Sequence, residues 1–157
     1  MRINQYNLKI DDSNKIGLVK EKSFNYPKED GHWFDCPDKI TAFLNDIWDI
    51  GSLAEEYAYM LAFDTKMKFI GIFELSHGAT NYACVSTKSV FERALLCGAS
   101  NIVMVHNHPS KDAQPSKNDH NVYKRLKEAG KLLEINIADF IIIGGKTWLS
   151  FCNAGFL

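Results

Sequence analysis

An apolar run, Asn101-Ile102-Val103-Met104-Val105, breaks off directly into His106-Asn107-His108-Pro109-Ser110. A little further on, Val122, Tyr123, Leu126 and Ala129 recur at helical spacing. The chain must therefore change from buried strand to helix across a loop that contains Pro109 and Pro115. That handover fixes where the polar residues stand. His106 and His108 lie at the strand end, and Asp119 lies in the first helical turn. Side chains two apart on an extended chain share a side, so both imidazoles can face one point. The Asp119 carboxylate can approach that point from the helix.

Two imidazoles and a carboxylate suit zinc. A structural zinc site usually closes with a fourth protein ligand, commonly cysteine, whereas a catalytic site leaves that position to water. No cysteine lies near this motif, which favours the open kind. Two histidines alone would read as ordinary loop residues. Ser116-Lys117-Asn118-Asp119 also reads as a helix cap with an acid at its third position. The cap and metal readings are compatible, because a cap on Ser116 fixes where Asp119 points. His120 follows Asp119, but consecutive helical residues diverge by about 100°, so the two should not share a metal. His32 and His77 lack nearby partners in sequence and read as surface or turn residues.

The rest of the chain bounds the fold. At 157 residues with 46% hydrophobic content it suits one globular domain with a real core. The formal charge of -1 gives no global pull toward nucleic acid. Lys117, Lys124, Arg125, Lys127 and Lys131 read as a solvated helix face. Trp33, Trp48 and Trp148 read as packing residues. The cysteines Cys36, Cys84, Cys97 and Cys152 form no Cys-x-x-Cys pair and are expected to be reduced and mostly buried. No signal peptide and no long apolar span is evident, so the expected location is cytoplasmic, without membrane contact.

Residues 1–36 are polar, rich in breakers, and expected to be irregular, a short hairpin or an accessory arm. Residues 37–157 form the expected main domain. Its first helix carries Ile40, Phe43, Leu44, Ile47 and Trp48 on one face and can end at Gly51. Strands are expected near 57–63 and 67–75, near 80–85, through the run at 101–105, and near 135–143 and 147–152. Gly144-Gly145 marks the last turn. Helices are expected near 88–97 and 117–129. This order predicts an α/β fold, a mixed β-sheet flanked by helices.

The spacing His-x-His, seven residues, Ser, two residues, Asp resembles the JAMM signature of metal-dependent isopeptidases and deubiquitinases. The string His106-Asn107-His108-Pro109-Ser110 with Pro115, Ser116 and Asp119 is most similar to the RadC-like branch of the JAB/MPN family. Gly78-Ala79-Thr80-Asn81, Val90–Leu95, Arg125–Gly130 and Ala138–Ile143 extend the likeness over about residues 38 to 152. The resemblance implies a cytidine-deaminase-like JAB/MPN core. It implies one zinc ion on His106, His108 and Asp119, with Ser116 steadying the substrate carbonyl. It also implies a glutamate before a strand as general base, for which Glu56 fits best and Glu55 and Glu74 are alternatives. Three positions depart from the branch. Lys111 stands where it usually has glycine, Phe140 where it usually has histidine, and Lys88 where it usually has arginine.

The function so implied is hydrolysis of a peptide or isopeptide bond in a peptide or protein substrate by a JAMM-type metalloprotease. The alternative is a non-hydrolytic accessory module of DNA repair or of a mobile element. DNA repair is attached to this branch by label, and its members commonly carry an N-terminal helix-hairpin-helix region. This chain is too short to add one, so DNA binding is expected to be weak or indirect. A nucleobase deaminase would need His-x-Glu and Pro-Cys-x-x-Cys, and neither occurs.

Overall fold

The computed structural model describes residues 1–27, 33–78 and 85–156. Seven strands form one mixed sheet: β1 (Arg2–Ile10), β2 (Ile16–Asn25), β3 (Tyr57–Phe63), β4 (Phe69–His77), β5 (Asn101–Asn107), β6 (Asn136–Gly144) and β7 (Thr147–Ser150). Their order across the sheet is β2-β1-β4-β3-β5-β6-β7. The β1–β4 and β5–β6 pairs are parallel and the others antiparallel. Three helices cover it: α1 (Pro37–Trp48), α2 (Thr87–Cys97) and α3 (Lys117–Leu133).

Central strands covered on both faces read as continuous apolar runs, because each face needs its own alternate residues. Met60, Ala62, Ile102, Met104, Phe140 and Ile142 pack toward one core with Val90, Phe91 and Ala94 of α2 and Val122 and Leu126 of α3. Tyr59, Leu61, Phe63, Val103, Val105, Ile141 and Ile143 face a second core with Phe43 and Leu44 of α1. The strand period of two therefore puts His106 after Ile102 and Met104, on the α2/α3 side.

Several expectations change. Much of the polar N-terminal stretch is strand, paired from Arg2↔Asn25 to Ile10↔Ile16, and β1 joins β4 through Gln5↔Ile72. Asp11 and Asn14 make its turn, Asp11 Oδ1 accepting the Ser13 and Lys15 backbone N–H groups. Opposite Gln5 and Tyr6 stand Lys22 and Lys20, so Glu21 is an extra residue in the backbone register, while its carboxylate accepts the Gln5 Nε2–H at 3.3 Å. Helix α1 ends at Asp49, which takes the left-handed conformation with φ 48, rather than at Gly51. Gly51 instead allows close approach, since a Cβ there would lie 2.1 Å from the Gly145 carbonyl oxygen.

Helix α3 runs past Gly130 to Leu133. Cys36 and Cys97 are only half-buried and Cys152 is exposed, contrary to the expected burial; all three are free thiols. The strand expected near 80–85, the turn residues Ala79, Thr80 and Asn81, Cys84 and His32 lie outside the described residues, apart from Val85, which precedes α2 and is not in a strand. Among the described residues no helix is long and apolar enough to cross a membrane.

Candidate metal centre

His106 and Asn107 end β5, and His108 begins the loop whose first bond runs from its own N–H to the Ile143 carbonyl, at 2.8 Å. The loop then lies against the end of β6. A Cβ on Gly144 would come within 2.4 Å of the Ala113 nitrogen, so only glycine lets the loop pack there. Lys111 in the same loop has φ 63 and donates its N–H to the His108 carbonyl at 3.0 Å. That left-handed position accounts for the glycine of the resembling branch, and lysine holds it at a steric cost.

Ser116 caps α3. Its Oγ accepts the Asp119 N–H at 3.2 Å, while Asp119 Oδ2 accepts the Ser116 N–H at 2.6 Å. This reciprocal cap fixes the Asp119 carboxylate at a helix N-terminus, where negative charge is favoured. Ser116 is exposed, and because its oxygen only accepts in this cap, its O–H proton remains free to donate.

The strand end and helix start converge. His106 Nε2 lies 3.0 Å from His108 Nε2 and 3.2 Å from Asp119 Oδ1, and His108 Nε2 lies 3.5 Å from Asp119 Oδ2. A four-coordinate cation bound at about 2.0–2.1 Å requires ligand separations of about 3.3 Å. Each Asp119 oxygen faces a different histidine, so no single set of three atoms yet has that spacing; the three side chains nevertheless converge within 4.8 Å and form a group that could hold a metal ion.

The tautomer agrees. His108 Nδ1 is 2.7 Å from the Asp112 carbonyl, which can only accept, so Nδ1 carries the hydrogen. In the neutral ring Nε2 then presents its lone pair toward His106 and Asp119. A backbone carbonyl on the distal nitrogen is a usual way to orient a ligating imidazole.

Burial pushes the Asp119 carboxyl up, but its bonds to His106, His108 and Ser116 outweigh that and hold it well below the usual carboxylate range. The bond to Asp119 raises the His108 imidazole above its ordinary value, against burial that lowers it. With no metal, proton sharing between imidazole and carboxylate takes up the charge of the buried aspartate.

A cavity of about 20 Å³ opens beside this cluster, between Glu56, His106 and Asp119, with Asn118, Val85, Val122 and Phe140 completing its wall. It has room for about one water. Glu56 reaches it because β3 pairs with β5 through Ala58↔His106. That pairing ends at Ala58↔His106, two residues from Glu56, and the Glu56 charge contributes to the raised His108 value.

The alternative carboxylates go elsewhere. Glu55 is exposed and its carboxylate turns toward Gly78. Glu74 binds His77 Nδ1 at 2.8 Å. His120 packs against Phe151 and Phe156, with ring centroids at 5.1 and 5.0 Å. Phe140 lies edge-on to the His106 ring at 5.3 Å, giving the cavity an apolar wall where the resembling branch usually has histidine. Lys88 is exposed on the first turn of α2.

The sequence signalled the ligands but not their supports: Asn107, the Asp112 carbonyl and Gly144. Asn107 is the least expected of these. It is 1% exposed, and its side chain bonds to residues next to Glu56.

Comparison with known proteins decides the family. The profile of the RadC-like JAB domain matches residues 34–156. The chain belongs to that family. A UPF0758 protein of Geotalea uraniireducens is 39% identical over 103 residues, covering 66% of this chain and 45% of that protein. One from Pelobacter propionicus is 36% identical over 124 residues, covering 79% and 53%. One from Alkaliphilus metalliredigens is 40% identical over 114 residues, covering 73% and 48%. The chain spans about half the length of the curated relatives it matches. Within the matched region β3, β5, β6 and α3 assemble the His106–His108–Asp119 cluster, and β1 and β2, which precede that region, extend the sheet beyond β4.

Proposed function

We propose that this RadC-like JAB domain is a zinc-dependent hydrolase of the JAMM type, cleaving a peptide or isopeptide bond. The observation that carries this reading is the convergence of His106, His108 and Asp119 beside a one-water cavity walled by Glu56. Zinc suits two imidazoles and a carboxylate, and when bound it supplies Lewis acidity that polarises a carbonyl and acidifies water. Glu56 is the base that takes the proton of the attacking water and returns it to the leaving amine, a role worth roughly 10²–10⁴ in rate. Ser116 donates its free O–H to the carbonyl oxygen as negative charge develops there, an effect of about 3 kcal/mol for a well-placed donor. The apolar side of Phe140 limits the number of waters that compete for the Glu56 proton. A reducing compartment, the cytosol, fits the free thiols of Cys36, Cys97 and Cys152.

The test joins metal analysis to cleavage of a quenched fluorescent peptide library by purified chain. Wild type is expected to hold one zinc and to cleave. Glu56→Gln is expected to hold zinc and to lose cleavage. Full zinc in wild type with no cleavage of any peptide or isopeptide bond would move the domain to a non-hydrolytic binding module.

A further inference from the structure

Asn107 sits between the two histidines, and both ends of its carboxamide are bound to β3 or its approach. Its Oδ1 accepts the Tyr57 N–H at 2.7 Å, and its Nδ2 donates to the Glu55 carbonyl at 3.0 Å. The amide orientation is not ambiguous, because a backbone N–H can only donate and a carbonyl can only accept. These two backbone groups flank Glu56 on either side. The Glu56 carbonyl in turn accepts the Gly78 N–H at 3.1 Å. The peptide from residue 55 to 57 is therefore held from β5 on one side and from the end of β4 on the other. Only the Glu56 side chain remains to move.

The location explains why a side chain is used. Backbone pairing of β3 with β5 runs from Phe63↔Asn101 to Ala58↔His106. Beyond it, the His108 N–H bonds the Ile143 carbonyl on β6 and the His108 carbonyl accepts the Lys111 N–H. At the level of Glu56, β5 thus has no free backbone with which to continue the ladder. The Asn107 carboxamide offers one donor and one acceptor on a short planar group, as a peptide unit does, and continues the pairing.

We propose that Asn107 is a positioning residue that sets the Glu56 carboxylate over the cavity beside His106 and His108, coupling the base to the ligand strand. This rests on the reading of Glu56 as general base. Aspartate at 107 keeps an acceptor for Tyr57 but has no donor for Glu55, and alanine has neither.

The experiment compares wild type, Asn107→Ala, Asn107→Asp, Glu56→Gln and the Glu56→Gln/Asn107→Ala double variant, all loaded with zinc. It reads zinc per chain, amide hydrogen exchange at Tyr57, a crystal structure of the Asn107 variant, and turnover of a peptide from the fluorescent library. Asn107→Ala is expected to keep one zinc, to exchange the Tyr57 amide at least tenfold faster, and to show Glu56 withdrawn from the cavity. Its kcat should fall while KM stays unchanged, and the double variant should turn over no more slowly than Glu56→Gln alone. Asn107→Asp should keep slow Tyr57 exchange yet lose part of the turnover, and it carries the test if the alanine variant does not fold.

Unchanged Tyr57 exchange and an unmoved Glu56 in Asn107→Ala would overturn the proposal. So would loss of zinc to the level of His108→Ala, or additive losses in the double variant. If Glu56→Gln hydrolyses like wild type, the general-base reading falls by itself, while exchange and crystallography still decide whether Asn107 holds Glu56 in place.

Discussion

Asp119 and Ser116 hold each other's backbone: Asp119 Oδ2 takes the Ser116 N–H at 2.6 Å and Ser116 Oγ takes the Asp119 N–H at 3.2 Å. One pair of residues thus starts a helix and aims a metal ligand. Ser116→Ala removes half of that cap and should cost about 1 kcal/mol of stability. Asp119 loses a restraint as well, so zinc affinity should weaken alongside. Urea unfolding and a zinc titration read the two effects. Threonine at 116 should restore both, and an alanine variant as stable and as tight as wild type would refute the coupling.

His108→Ala should take the chain from one bound zinc to none while leaving it folded. The two apolar cores are built from other residues, and His108 is in neither. Elemental analysis with circular dichroism is the check. Equal zinc in wild type and variant would remove His108 from the ligand set.

The metal-free domain should respond to pH in a direction its charges dictate. His108 is raised above its ordinary 6.5, and Asp119 is lowered below its ordinary 3.8. The stabilisation from protonated His108 is full below 6.5 and is lost as pH climbs through the raised value. That from Asp119 is full above 3.8 and is lost only as pH falls through the lowered value, in strong acid. Zinc needs the neutral imidazole, so its affinity should rise with pH across the window in which His108 stops stabilising the apo chain. Denaturant midpoints of apo protein and zinc titrations over that range measure both trends. A His108→Gln variant should show a flatter apo stability profile.

This chain alone should bind duplex DNA weakly and without sequence preference. Its formal charge is -1, so little counterion release is available to drive association. Affinity in the non-specific range of about 10⁻⁴–10⁻⁶ M, falling steeply with added salt, is the expected result. Tight, salt-resistant binding to a defined DNA structure would instead make nucleic acid the partner.

Much of the site was legible because strand and helix write different periods. The run at 101–105 and the spacing after Val122 located His106, His108 and Asp119, and Ser116 announced its cap. Glu56 stood among three carboxylates because the choice depends on how β3 pairs with β5, a long-range register that local pattern does not carry. Asn107 was silent for a related reason: its partners are 50 and 52 residues away. For the N-terminal stretch the sequence leaves a short hairpin open beside an irregular arm, because most of β2 faces solvent, which erases the apolar alternation that marks a strand. Helix α3 was expected near 117–129, and Gly130 lies inside it. That glycine is a contact point there, since a Cβ would lie 2.4 Å from the Ile135 oxygen.

The extra residue of β2, Glu21, bears on how the molecule behaves in a crowd. A sheet can go on adding strands wherever its last one offers straight, unguarded peptide groups. Here β7 is only four residues long, while β2 is ten. The longer border is the more exposed to recruitment by a neighbour, and it is there that the extra residue kinks the backbone, with exposed Lys20 and Lys22 on either side. A strand docking on that border would meet a broken row of donors and acceptors and would have to strip water from two ammonium groups. Resistance to clumping is thus lodged four strands away from β5, in a stretch that can be altered for solubility without touching the histidines.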